Sequence, residues 1–164
     1  MSDSLQLGEL VERLVSAEIR FVAVGGMAVG AWGHVRATKD LDLVPDPSQE
    51  NLERLAALLR ELDGKVEVAE GLLTGDAIWT FLKSGDRTLV VTSLGRVDVI
   101  QGHPQVPRYG ELEAAATTVE MDGFPVRVCS LDHLLQMKRA SERPRDRDDL
   151  EALEAIRESH SPER

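Results

Sequence analysis

The stretch from Gly25 to Val44, GGMAVGAWGHVRATKDLDLV, constrains the chain more than any other. Two glycines follow the apolar run Phe21-Val22-Ala23-Val24. A short helix is expected from Met27 to about His34. Arg36 and Lys39 then precede Asp40 and Asp42, which alternate with Leu41, Leu43 and Val44. The order reads as strand, glycine turn, helix, and a second strand that opens on acid. Residues i and i+2 of a strand share a face, so Asp40 and Asp42 point one way and Leu41 and Leu43 the other. Neighbouring carboxylates repel, and a cation between them relieves the repulsion. A hard divalent ion with oxygen ligands, above all Mg²⁺, is the natural partner. Glycines let backbone amides approach a phosphate, and the helix behind them adds its positive end. A phosphate cradle beside metal-binding carboxylates is the apparatus of phosphoryl or nucleotidyl transfer. Taken singly the parts are weak, because Asp-x-Asp is often a solvated strand face and Gly-Gly a turn. A dinucleotide-binding G-x-G-x-x-G does not fit, since the glycines fall at Gly25, Gly26, Gly30 and Gly33.

A third acid stands apart in sequence. Arg96 to Ile100, RVDVI, reads as a strand with Asp98 between Val97 and Val99. A lone acid in an apolar strand is costly to bury unless it is paired or bound to a metal. An ion pair with Arg96 is the plain explanation. The preferred one is a third carboxylate joining Asp40 and Asp42, as metal ligand or as base for an attacking hydroxyl.

The remaining elements follow from periodicity and punctuation. Leu5 to Glu18 is an amphipathic helix with Ser4 as N-cap. Asp40 to Val44 is a strand ended by Pro45 and Pro47, and Ser48 caps a helix running to about Leu62. Lys65 to Asp86 yields no firm assignment beyond alternation at Val66 and Val68. Thr88 to Thr92 is a strand, and Tyr109 to Ala116 a short helical piece. Thr117 to Met121 and Phe124 to Cys129 form a hairpin about Asp122-Gly123. Ser130 starts a further helix, and the last runs from about Arg145 to Glu158 with Pro144 at its head, before a frayed SHSPER tail.

A length of 164 residues suits one domain over residues 1–164 with a sizeable core. Aromatics make up only 4%, so that core must come from Leu, Val, Ile and Ala. A formal net charge of −10 argues against a general nucleic-acid coat, although Arg36, Lys39, Lys138, Arg139, Arg143, Arg145 and Arg147 leave room for a local basic site. The single cysteine, Cys129, rules out an internal disulfide. No apolar run is long enough to span a bilayer and no secretory signal opens the chain. A cytoplasmic protein without a membrane partner is expected.

Gly25-Gly26, Arg36-x-Thr38-Lys39-Asp40-Leu41-Asp42 and the later Asp98 resemble the DNA-polymerase-β-type nucleotidyltransferase fold. The C-terminal run, Lys138-Arg139-Ala140 then Arg143-x-Arg145-Asp146-x-x-Asp149-Leu150, resembles the end of the AbiEii/MenT group of nucleotidyltransferase-like toxins. The likeness covers roughly Phe21 to Ile156. It implies an α/β (α+β) fold, a mixed β-sheet flanked by helices with helices at the C-terminus, and a nucleoside triphosphate (NTP) held over Mg²⁺. By motif, Gly25 and Gly26 would hold the triphosphate, with Arg36, Lys39, Lys138 and Arg143 adding positive charge. Asp40 and Asp42 would bind metal, Asp98 would complete the site as ligand or base, and Lys138 would reach a phosphate. Asp146 would orient Lys138 or the base. Many relatives have Gly-Ser where this chain has Gly25-Gly26, so a serine contact to phosphate must here come from backbone. Read alone, the tail favours a surface helix with i,i+3 and i,i+4 ion pairs.

The expected activity is Mg²⁺-dependent transfer of a nucleoside monophosphate from an NTP to an acceptor hydroxyl. RNA, a protein or a small molecule could supply that hydroxyl. The resemblance adds the toxin of a toxin–antitoxin pair, with an antitoxin protein as partner. Two alternatives stand beside it: a nucleotide- or partner-binding module without turnover, and a small-molecule transferase of the antibiotic-modifying kind.

Overall fold

A computed structural model describes the backbone of residues 3–160 and the side chains of 6–160. Its elements are α1 (Asp3–Ser16), β1 (Phe21–Val24), α2 (Gly25–Ala31), β2 (Asp40–Pro45), α3 (Gln49–Glu61), β3 (Lys65–Val68), β4 (Gly71–Leu73), α4 (Ala77–Ser84), β5 (Thr88–Thr92), β6 (Gly95–Val99), α5 (Tyr109–Ala115), β7 (Thr117–Met121), β8 (Phe124–Val128), α6 (Leu131–Arg139) and α7 (Pro144–His160). The strands form one sheet in the order β4-β3-β5-β6-β2-β1-β8-β7. β2 runs parallel to β6 and β1 parallel to β8, while the other pairs are antiparallel. This is the expected mixed sheet flanked by helices.

Alternation along the central strands sorts their side chains. Leu41, Leu43, Val97 and Val99 are fully buried, and they share the core with Leu55 and Leu59 of α3 and Leu10 and Leu14 of α1. The acids of β2 and β6 occupy the alternate positions on the other face. α1 packs on β6, β8 and α3, and α4 on α3, β3 and β5. α5 lies against β1, and α6 packs on α2 and α7.

Several expectations are corrected. α2 begins at Gly25 itself, not at Met27, because the chain turns straight from β1 into helix at the glycine pair. α1 starts at Asp3, so Ser4 lies inside its first turn and not at its cap. Ser48 does hold the cap position of α3, but its side chain makes no capping hydrogen bond; Asn51 ties that corner instead, bonding both the amide and the carbonyl of Arg20. The unassigned 65–86 region is a hairpin, β3–β4, followed by α4. Ser130 caps α6 as expected, accepting from the His133 amide. Ser159 and His160 close α7, and the rest of the SHSPER tail lies outside the described residues. Among the described residues no helix is long and apolar enough to cross a membrane.

Candidate active site

The β2–β6 register sets Asp42 beside Asp98 and Asp40 beside Arg96. Asp40, Asp42 and Asp98 therefore lie on one face of two neighbouring strands, although Asp42 and Asp98 are 56 positions apart in sequence. On the other side of β2, Val24 pairs with Asp42, and the chain leaves β1 there through Gly25. Gly25 has a φ of +65°, and a Cβ at this position would lie 2.0 Å from Asp42 Oδ2. Only glycine allows both the turn and the approach. A Cβ at Gly26 would meet Thr38 Oγ1 at 2.7 Å and the Arg36 guanidinium at 3.2 Å. The space that a serine would take in a Gly-Ser pair is thus filled by Thr38 and Arg36.

Charge around the acids is unevenly distributed. Arg87 grips Asp98 with two bonds, Nε to Oδ1 at 2.9 Å and Nη2 to Oδ2 at 2.5 Å. Sequence reasoning missed Arg87. It sits just ahead of β5, whose Leu89 is registered against Asp98, so a residue two places back on the same face reaches the acid diagonally. Nothing in the sequence marks it beyond a cation at the head of a β-branched run. The considered Arg96–Asp98 pair does not form: Arg96 turns to Glu67 and lies 3.6 Å from Asp40. Among the described residues no cation contacts Asp42. Burial, then the charges of Asp98 and Asp40, push its carboxyl up to about 7, against a weaker pull from Arg87 and Lys138.

These hard oxygen donors, crowded and short of positive charge at Asp42, suit Mg²⁺ in chemistry. Asp40 and Asp42 are the acids that could take a metal ion with the least rearrangement, because Asp98 is already occupied by Arg87. Among the described residues no group of three acids, imidazoles or thiols is arranged to hold a metal ion as it stands. For Asp98 to join them, Arg87 would have to let go.

The C-terminal motif builds a second, buried cluster. Lys138 Nζ is 2.6 Å from Asp146 and 3.0 Å from Asp149. Arg36 donates to Asp149 through Nε at 2.8 Å and Nη2 at 2.9 Å, with His34 3.7 Å away. Ser141 and Arg143 complete the shell of Asp146. Burial raises the Asp146 carboxyl, but bonds from Lys138, Ser141 and Arg143 outweigh it and hold it at about 2. Burial opposes the ionised Asp149 in the same way, and Arg36 and Lys138 bring it below the usual range. Asp146 and Asp149 are 1% and 0% exposed, so the head of α7 turns these two acids inward while Arg145, Arg147 and Asp148 stay on the surface. The cluster ties the tail motif to Arg36 of the front motif. It also means that the Lys138 ammonium is engaged by two carboxylates, while Lys39 is exposed beside Thr38. Arg143 touches Asp146 yet keeps 79% of its side chain exposed. Cys129, fully buried with burial driving its thiol up to about 12, is inert packing.

No protein-family model and no curated protein matches the chain. Solved structures do. The lincosamide antibiotic adenylyltransferase LnuA, with lincomycin bound, is 15% identical with a TM-score of 0.66, over 92% of this chain and 96% of its own. An antigenic nucleotidyltransferase-like protein from Paracoccidioides brasiliensis is 21% identical at 0.66, over 99% and 79%. The antibiotic-resistance factor ANT(2'')-Ia is 15% identical at 0.57, over 95% and 89%. Identities this low carry architecture alone, and the architecture they carry, laid over the acid-bearing sheet described above, is that of the nucleotidyltransferase fold.

Proposed function

We propose that the protein is an enzyme, a nucleotidyltransferase that moves a nucleoside monophosphate from an NTP to an acceptor hydroxyl. The observation that carries this reading is the register that sets Asp42 against Asp98 beneath the Gly25 turn. In the reaction the acceptor oxygen bonds to the α-phosphorus, the bond from that phosphorus to the bridging β-phosphate oxygen breaks, and pyrophosphate leaves. The hydroxyl proton passes to Asp98, which must first open one of its two bonds to Arg87. Asp40 and Asp42 would hold Mg²⁺, which when bound supplies positive charge to the phosphates and lowers the pKa of the hydroxyl. The amides at Gly25 and Gly26 and the exposed Lys39 would receive the triphosphate. Arg36 and Lys138, positioned by Asp149, and Arg143, held by Asp146, would form its cationic border.

Two fold neighbours, LnuA with lincomycin and ANT(2'')-Ia with adenylyl-2''-tobramycin, support ATP as donor and a small molecule as acceptor. The tail's resemblance to the AbiEii/MenT toxins supports a second reading, an RNA or protein acceptor with an antitoxin partner, and the buried Asp146–Lys138–Asp149 cluster is the part of the tail that favours it. One experiment tests both. The protein is incubated with each α-³²P-labelled NTP and Mg²⁺ in turn with cellular RNA, protein and small-molecule extract, with Asp42→Ala as control. Label transferred by the wild type and lost in the variant supports the activity, and its destination names the acceptor class. NTP binding without transfer would leave a nucleotide-binding module in its place.

A further inference from the structure

A cavity of about 670 Å³ lies at the ends of β2 and β6 that are farther from the glycine turn. Val44 and Ile100 are among the residues that line it. Each stands two residues beyond an acid, Val44 after Asp42 and Ile100 after Asp98, and alternation keeps all four side chains on one face. At a rise of about 3.3 Å per residue Val44 and Ile100 stand about 7 Å from the acids. The 102–108 loop, Tyr109 at the head of α5, and Gln136 of α6 form the walls. The loop is folded on itself, with His103 accepting from the Gln105 amide at 3.1 Å and its carbonyl accepting from the Val106 amide at 3.2 Å.

We propose that this cavity is the acceptor subsite, and that it takes a hydroxylated small molecule with an apolar flank and little net charge. The inference rests on the nucleotidyl-transfer reading above. In-line displacement needs the attacking oxygen and the leaving pyrophosphate on opposite sides of the α-phosphorus. Gly25, Gly26, Thr38 and Lys39 gather at one end of the acid pair and the cavity at the other, so the acids lie between a phosphate side and an acceptor side. The volume falls in the range of about 300–1,000 Å³ usual for small-molecule sites. Charge decides the acceptor class. Arg108 and Glu111 are the formally charged lining residues besides His103, and they are of opposite sign. A nucleic-acid strand needs several cations along its phosphates, and a polyamine needs several acids. The cavity supplies neither. Its apolar Val44 and Ile100, together with Gln105, Tyr109 and Gln136, suit an uncharged or singly charged glycoside.

The test reads occupancy directly, by methyl and amide NMR of the labelled full chain, and needs no turnover. The probes are lincomycin, a hydroxylated thioglycoside with an alkyl-bearing ring and one basic amine; tobramycin, a polyamine; and a short oligoribonucleotide. Lincomycin should shift the Val44 and Ile100 signals saturably, while tobramycin and the oligonucleotide leave them in place. Gln136→Trp, a change at an exposed wall position, should weaken the lincomycin response by about tenfold and leave intact the response of Thr38 to Mg²⁺-ATP. No shift with lincomycin, or a shift of the same signals by tobramycin or the oligonucleotide, would overturn the assignment. Failure of Mg²⁺-ATP to move Thr38 strikes instead at the nucleotidyl-transfer reading, and the two results are separable in one set of spectra.

Discussion

Asp149→Asn should be among the most damaging single changes in the chain, although it removes only one charge and leaves the shape unaltered. Asp149 is fully buried and receives two bonds from Arg36 and one contact from Lys138. Lys138 keeps Asp146 as a partner, but Arg36, with only 19% of its side chain exposed, keeps no carboxylate. Removing one member of a buried pair costs about 3–5 kcal/mol because a desolvated charge is left behind. Partial exposure of Arg36 places the expected loss near the lower end, about 3 kcal/mol. For a chain of this size each kcal/mol lowers Tm by about 2–4 °C, so a fall of about 6–12 °C is expected. Urea unfolding at pH 7 gives the free energy, and an unchanged m-value shows that the denatured state is the same. A double variant, Arg36→Met with Asp149→Leu, removes both charges and should recover more than about 1 kcal/mol of the single loss. A single-variant loss below about 1 kcal/mol would place Asp149 among ordinary surface ion pairs and refute the buried-cluster argument.

The same cluster predicts an acid limb. The Asp146 carboxyl lies at about 2 in the folded chain against 3.8 for the free group, so its contribution of about 2 kcal/mol is fully present above the unfolded value and is lost as pH falls through about 2. Urea curves between pH 5 and pH 2 should show this slope in the wild type and a shallower one in Asp146→Asn; parallel slopes would contradict it. Gly25→Ala forces a Cβ onto Asp42 at a positive φ and should cost about 1–3 kcal/mol together with label transfer. Gly30→Ala, in α2 with open space at its Cβ, should instead be neutral or stabilising by up to about 1 kcal/mol, and a loss as large as that at Gly25 would show that the close approach is not the cause. Arg87→Met removes the cation that grips Asp98 and pulls on the neighbouring Asp42, so Mn²⁺ titrated as a paramagnetic probe should bind more tightly to the variant than to the wild type; equal or weaker binding would show that Arg87 does not compete with a cation at these acids.

Much of the scaffold was legible because it rests on short-range patterns. Alternation at Leu41, Leu43, Val97 and Val99 marked β2 and β6 and which of their faces is buried. Asp122-Gly123 marked the β7–β8 hairpin, and Ser130 the start of α6. The 65–86 region resisted because β3 and β4 are short and β4 is wholly exposed, which leaves no alternation of burial to read. Ser48 holds the cap position of α3 but not the capping bond, because a distant contact, Asn51 on Arg20, ties that corner instead.

At the candidate site the split is sharper. Asp40 and Asp42 share a face by strand geometry alone, and Gly25 beside them needed only its place after β1. That Asp98 stands against Asp42, that Arg87 and not Arg96 neutralises it, and that Asp149 of α7 reaches Arg36 depend on strand register and helix packing across long sequence separations. The i,i+3 and i,i+4 spacing in the tail motif suggested surface ion pairs; Arg143–Asp146 is one, yet Asp146 and Asp149 themselves are buried. Periodicity along one element says which residues share a face. It carries no information on which face of which other element comes to meet it, because that choice is made by burial of the whole core.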